Sequence, residues 1–126
     1  MSELRVDLNH YNEIIIKTYP ENIYIIGWNN FIRMSDLTKG KIKPDKILSG
    51  HVAYEVFGGK LRNLFSRLFY ENYVQITFSK KEKLNIYFST KIYINGIRGI
   101  DAASIYFFKK KLGKLNRDEL IFLFKK

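Results

Sequence analysis

Two helix-start signals within about forty residues constrain this chain more than any other feature. Ser79-Lys80-Lys81-Glu82 places a polar N-cap residue three positions before a glutamate. In that arrangement the serine accepts from the backbone N–H of the glutamate and the glutamate accepts from that of the serine, so two otherwise orphaned donors are satisfied. Asn116-Arg117-Asp118-Glu119 repeats the pattern, with Leu115 at the hydrophobic-staple position. The first signal predicts a helix from Lys80 to Thr90, with Leu84, Tyr87 and Phe88 at helical spacing, although LNIYFSTKIYI is rich in β-formers. Capping chemistry names a start point, whereas propensity is a weak preference. The second predicts a helix to the chain end with Leu120, Leu123 and Phe124 inward.

Between the two, Gly96 and Gly99 mark a turn. Asp101 is expected to cap a helix running through Lys111, with Gly113 at its C-terminal end. Upstream, after Gly58-Gly59, residues Leu61, Leu64, Phe65, Leu68 and Phe69 recur at i, i+3, i+4, i+7 and i+8, one face of a helix; YVQITF (73–78) stays unassigned. Nearer the N-terminus, IIIKTY and NIYIIGW read as two short strands around the turn Pro20-Glu21-Asn22. MSDLTKGKIKPDK (34–46) reads as a polar, basic loop. The expected class is mainly α (α+β), a helical lobe with a short N-terminal β-hairpin.

With 126 residues, 46% of them hydrophobic, the chain fits one globular domain over residues 1–126. There is no cysteine, which excludes disulfides and thiolate metal sites, and the two histidines, His10 and His51, are too few for a histidine metal site. No cofactor is expected. The first residues lack a basic head followed by an apolar run, and no apolar run approaches the roughly 20 residues of a membrane span. Those features predict a soluble, cytoplasmic protein. Charge is unevenly placed: residues 1–38 hold three basic and five acidic side chains, whereas residues 39–126 hold 19 basic and seven acidic. A net charge of +10 concentrated in this way favours polyanionic partners such as nucleic acid, anionic lipid head groups, pyrophosphate or an acidic protein.

SKKEKLNIYFS, NGIRGIDAASIYFFKK and LNRDELIFL together resemble the later motifs of the peptidoglycan glycosyltransferases (transglycosylases), enzymes that polymerise lipid-linked disaccharide into glycan strands. The residues that carry the likeness are Ser79, Lys80, Glu82, Leu84 and Tyr87, then Asn95, Gly96 and Gly99, then Ala102, Ala103, Tyr106, Phe108 and Lys110, and last Leu115 and Glu119. Their order and spacing hold without gaps. The resemblance covers roughly residues 60–126 and leaves residues 1–50 without a counterpart. It implies a small lysozyme-like helical lobe, in which the alanines allow close helix packing, the aromatics fill the core and Lys109-Lys110-Lys111 face outward.

The departures bear on chemistry. The family uses a glutamate general base in an early Glu-Asp-x-x-Phe-x-x-His-x-Gly motif, to which Glu21-Asn22 is the nearest echo here, at the wrong spacing. Its Gly-Ser-Thr-x-x-Gln-Gln stretch is replaced by SGHVAYEVFGG (49–59), without the glutamines. Counted back from Ser79, two further glutamate positions of the family hold Arg67 and Gln75, and its Tyr-Leu-Asn asparagine is Ser89. Neither arginine nor glutamine serves as a general base. No catalytic residue is therefore assigned, with Glu55 and Glu71 as weak candidates for a displaced base. Arg62, Arg67, Lys80 and Lys81 lie where the resemblance places pyrophosphate binding, and two or more of them converging would hold a diphosphate by charge-assisted bonds. Three function classes follow. The first is a catalytically degenerate, transglycosylase-like protein that binds a protein partner, for example as an antidote to a toxin, or binds a lipid-linked peptidoglycan precursor. The second is a residual glycosyltransferase using Glu55 or Glu71. The third is a basic nucleic-acid-binding protein.

Overall fold

The computed structural model describes residues 11–35 and 42–125. Among them are seven α-helices: α1 (Asn12–Ile15), α2 (Glu21–Ser35), α3 (Pro44–Phe57), α4 (Leu64–Thr77), α5 (Lys80–Thr90), α6 (Ile100–Phe108) and α7 (Arg117–Lys125). Short 3₁₀ turns lie at Gly58–Lys60, Ile94–Gly96 and Leu112–Lys114. Extended pairing among the described residues is confined to an isolated Ile92–Arg98 bridge. His10 and the middle of the expected 34–46 loop lie outside the described residues; the loop's ends belong to helices, with Met34 and Ser35 closing α2 and Pro44 opening α3.

The expected N-terminal hairpin is absent, and helices occupy its place. Ile23, Tyr24, Gly27 and Phe31 fall at i, i+1, i+4 and i+8, the spacing of one helix face, and Ile23, Tyr24 and Phe31 are buried. The Ile23 N–H donates to the Pro20 carbonyl at 3.0 Å, so the predicted turn is the first turn of α2 instead. Tertiary packing overrides the β-propensity of Ile-Tyr-Ile-Ile. Gly27 is needed because a Cβ there would lie 2.9 Å from Phe124 Cζ and closer still to the Phe88 ring.

The centre of the fold is α5, packed against α1, α2, α3 and α6. Its start is the predicted capping box: Ser79 Oγ accepts from the Glu82 N–H at 3.1 Å and Glu82 Oε1 from the Ser79 N–H at 2.8 Å. Lys83, Leu84, Asn85, Ile86 and Phe88 are all buried. Beyond its first turn the helix is covered on most of its circumference and so is not amphipathic in the ordinary way, and its two buried polar residues both have partners. The Asn85 amide donates to the carbonyls of Ile15 (2.9 Å) and Lys17 (2.6 Å), and its oxygen accepts from the Tyr24 hydroxyl at 2.6 Å. One side chain thus ties α1 and α2 to the core helix. Phe88 meets Phe124 of α7 at 5.0 Å between ring centroids, and each such buried ring contributes about 2–3 kcal/mol.

Other elements extend or change the expectations. The unassigned YVQITF continues α4, whose cap is Asn63 in a reciprocal pair with Ser66. The apolar face Leu64, Phe65, Leu68, Phe69 is exposed; the inner face of α4 is Tyr70, Tyr73 and Val74, with Tyr70 stacked on Phe57 at 4.7 Å. Asp101 does not cap α6. Gly99 is the N-cap, at φ 90°, and α6 stops at Phe108 because Lys109 turns left-handed at φ 54°; Gly113 sits in the following 3₁₀ turn. The Asn116–Glu119 box at the start of α7 forms as predicted, at 2.8 and 2.9 Å.

Candidate functional site

The N-terminal end of α5 gathers the polar chemistry of the molecule. Toward the interior it sends Lys83, which is 1% exposed. Its ammonium donates to Asp45 Oδ1 at 2.7 Å, Ser49 Oγ at 3.0 Å and Gln75 Oε1 at 3.3 Å. Gln75 in turn donates to Asp45 Oδ2 at 2.6 Å, and the Ser49 hydroxyl donates to the Gln75 oxygen. Helices α3, α4 and α5 are therefore joined by one closed set of bonds. Burial pushes the Asp45 carboxyl up, but hydrogen bonds from Lys83 and Gln75 and the charges of Lys83 and Lys80 outweigh it, and the group titrates below its ordinary value. Ser49 and Lys83 are in contact, and because Lys83 also donates to Asp45 and Gln75 the contact is one bond of a latch that joins three helices.

Toward solvent the same helix end presents Lys80 and Lys81. The Lys80 ammonium lies 4.6 Å from the Trp28 ring centroid and that of Lys81 lies 4.8 Å from Tyr24. Each is a cation–π contact with the ammonium's donors left available. With Glu21, Ile25 and Leu84 these four side chains line a hollow of about 180 Å³ between α2 and α5. Trp28 is held flat against Phe31, at 5.8 Å and 10°. Neither lysine forms an ion pair among the described residues. The site is an aromatic, largely apolar trough that carries two cations, Lys80 and Lys81, and one carboxylate, Glu21.

The other sequence-derived candidates are distributed around the molecule. Arg62 and Arg67 are exposed at the start of α4. Ten residues of that helix, about 15 Å along its axis, separate Arg67 from Thr77, so the arginines lie at the far end from Lys80 and Lys81. Glu71 faces Gly50 and lines a hollow with Lys43, Asp45, Lys46, Asn72 and Gln75. Glu55 accepts from the Tyr11 hydroxyl at 3.2 Å and is ion-paired with Arg98. Asn95, at φ 61°, and Gly96, at φ 74°, make the turn before α6, and Asn95 donates to the Tyr106 hydroxyl at 2.9 Å. Ala103 is buried on α6 while Ala102 is exposed. The aromatic run is half-buried at most: Phe107 and Phe108 pack on Phe122, and Tyr106 is largely exposed. Lys110 pairs with Glu119 at 3.1 Å. No group of three or more metal-ligating side chains occurs among the described residues, and none of their helices is long and apolar enough to cross a membrane.

Sequence reasoning did not identify Lys83, Asp45 or Ser49, nor the pairing of Trp28 and Tyr24 with the two lysines. The one available signal was Lys83 itself, set immediately before the apolar-rich stretch Leu84–Phe88 of the same helix.

Comparison with known proteins finds a partial likeness. A 50-residue stretch, 40% of this chain, is 40% identical to the biosynthetic peptidoglycan transglycosylase of Haemophilus influenzae strain PittEE and to that of strain Rd. The stretch spans 21% and 20% of those two proteins, about a fifth of their length. No family model matches the chain. No solved structure matches it significantly.

Proposed function

We propose that this chain is a transglycosylase-like helical protein that acts by binding, and that the trough at the start of α5 holds a lipid-linked diphosphate of the peptidoglycan-precursor type. The observation that carries this reading is the placement of Lys80 and Lys81 over Trp28 and Tyr24. Two ammonium groups outnumber the one carboxylate, Glu21, and suit a diphosphate, and the apolar floor suits the first isoprene units of a lipid tail. The segmental likeness to peptidoglycan transglycosylases supports the ligand class, and a lysozyme-like lobe is part of the same proposal. A binding role is favoured over catalysis because Gln75, at a glutamate position of the resembled family, is locked to Asp45, Ser49 and Lys83. A carboxamide has no titratable proton to exchange, and its bonds hold it in the helix junction.

Trp28 is the sole tryptophan of the chain, so its fluorescence reports the trough directly. Titration with a short-chain polyprenyl diphosphate at low salt should shift Trp28 emission saturably, and Lys80→Gln with Lys81→Gln should weaken binding by about tenfold or more. An unresponsive emission, or unchanged affinity in the double variant, refutes the assignment. Glycan product formed from lipid-linked disaccharide and lost in Glu71→Gln would replace it with the residual-enzyme reading.

A further inference from the structure

Helix α4 carries apolar side chains on two faces, and the packing of the chain explains one of them. The inner face, with Tyr70 and Val74, closes against α3. The outer face holds Leu64, Phe65, Leu68, Phe69 and Ile76, exposed by 67, 81, 45, 45 and 84%. At about 100° per residue these five fall within an arc of roughly 140°, which also contains the polar Asn72 and Gln75, and from Phe65 to Ile76 the stripe runs about 16 Å. A row of exposed aromatic and branched side chains on one helix marks an interaction surface, unlike scattered apolar residues.

We propose that the outer face of α4 is an interfacial docking helix for an anionic phospholipid surface. Charge selects the occupant. Arg62 and Arg67 lie beside the N-terminal half of the stripe, one carboxylate, Glu71, borders it on the Arg67 side, and the chain carries +10 overall. A second copy of the chain would bring the same two arginines and the same net charge against this face, whereas an anionic leaflet attracts both. Phenylalanine and leucine on one side of a helix with arginine at its border match the burial depth of roughly 5–10 Å that such helices reach between head groups and acyl chains. The helix is preformed: the Asn63–Ser66 box fixes its start, at 2.9 and 3.1 Å, and the Phe57–Tyr70 stack fixes its back. Docking therefore carries no folding cost. The surface is separate from the trough at α5 and does not depend on the ligand proposed there.

Co-sedimentation of the full chain with vesicles tests this. Vesicles containing roughly one-third phosphatidylglycerol in phosphatidylcholine should bind it, with about tenfold or weaker binding to phosphatidylcholine alone and progressive loss with added salt. The variant Phe65→Asp/Ile76→Asp should bind the anionic vesicles about tenfold or more weakly, with a thermal melt like that of the parent because both side chains already face water. Absence of binding to anionic vesicles, or equal binding by the variant, overturns the proposal. A dimer in light scattering that the same variant makes monomeric assigns the face to a second copy instead. Polyprenyl diphosphate titration of Trp28 in the variant should be unchanged, which separates failure of this surface from failure of the trough.

Discussion

Removing either partner of the Lys83–Asp45 pair should have unequal consequences, and the inequality tests the account of the core. Asp45→Ala leaves an ammonium, 1% exposed, with Ser49 at 3.0 Å and Gln75 at 3.3 Å as its remaining partners. Stripping the counter-charge from a buried ion costs about 3–5 kcal/mol, and the two surviving acceptors place this case near 3 kcal/mol. Lys83→Met removes the charge with its burden and refills most of the stem volume. Asp45 then keeps the Gln75 amide at 2.6 Å and, with 37% of its side chain exposed, keeps water as well. The expected loss is about 1 kcal/mol or less. For a chain of this size each kcal/mol moves the melting midpoint by roughly 4 °C, so the two variants should differ by about 8 °C. The double variant should resemble Lys83→Met alone, because once the ammonium is gone Asp45 has no charge to compensate. Thermal and urea unfolding followed by circular dichroism would measure all three. If Lys83→Met destabilises as much as Asp45→Ala, the lysine is held by packing and hydrogen bonding rather than by charge compensation, and the reasoning fails.

The same pair sets an acid dependence. Because folding lowers the Asp45 pKa below its ordinary 3.8, its contribution is complete above that value and disappears as pH falls through the lower folded value. Melting midpoints measured from about pH 5 to pH 2 should therefore fall less steeply in Asp45→Asn than in the parent, and parallel curves would contradict the assignment. The glycine turn before α6 gives a paired comparison. At Gly99, φ 90° and a Cβ position 2.7 Å from the Ser89 carbonyl oxygen make Gly99→Ala cost about 3 kcal/mol or more. At Gly96, φ 74° with open space within 4 Å makes Gly96→Ala cost about 1 kcal/mol. Equal losses in urea unfolding would show that backbone angle, and not the approach to Ser89, governs both.

What could be read from the residues follows from the range of the interactions concerned. The Ser79–Glu82 and Asn116–Glu119 boxes and the Asn95-Gly96 turn are local: partners stand within three or four residues, so spacing alone specifies them. The N-terminal helices were missed because Ile-Tyr-Ile-Ile favours a strand locally, and what makes α2 helical is distant: Phe88 and Phe124 against Gly27, and Asn85 on the Tyr24 hydroxyl. The apolar periodicity of α4 was read as one helix face, and that the face is exposed was not legible, since period identifies a face and neighbours decide whether it is covered. Lys83 is the sharpest case. Lysines are almost never fully buried unless paired, and the pairing carboxylate, Asp45, stands 38 residues away in a segment that reads as loop. Charge counting has the same weakness. Lys83 is committed to Asp45, Lys110 to Glu119 and Arg98 to Glu55, while Lys91 donates to the Phe124 carbonyl at 2.8 Å. A positive total is thus partly internal structure, and the cations left for a partner include Lys80 and Lys81 at the trough and Arg62 and Arg67 near the outer face of α4, with Lys109, Lys111, Lys114 and Arg117 exposed elsewhere.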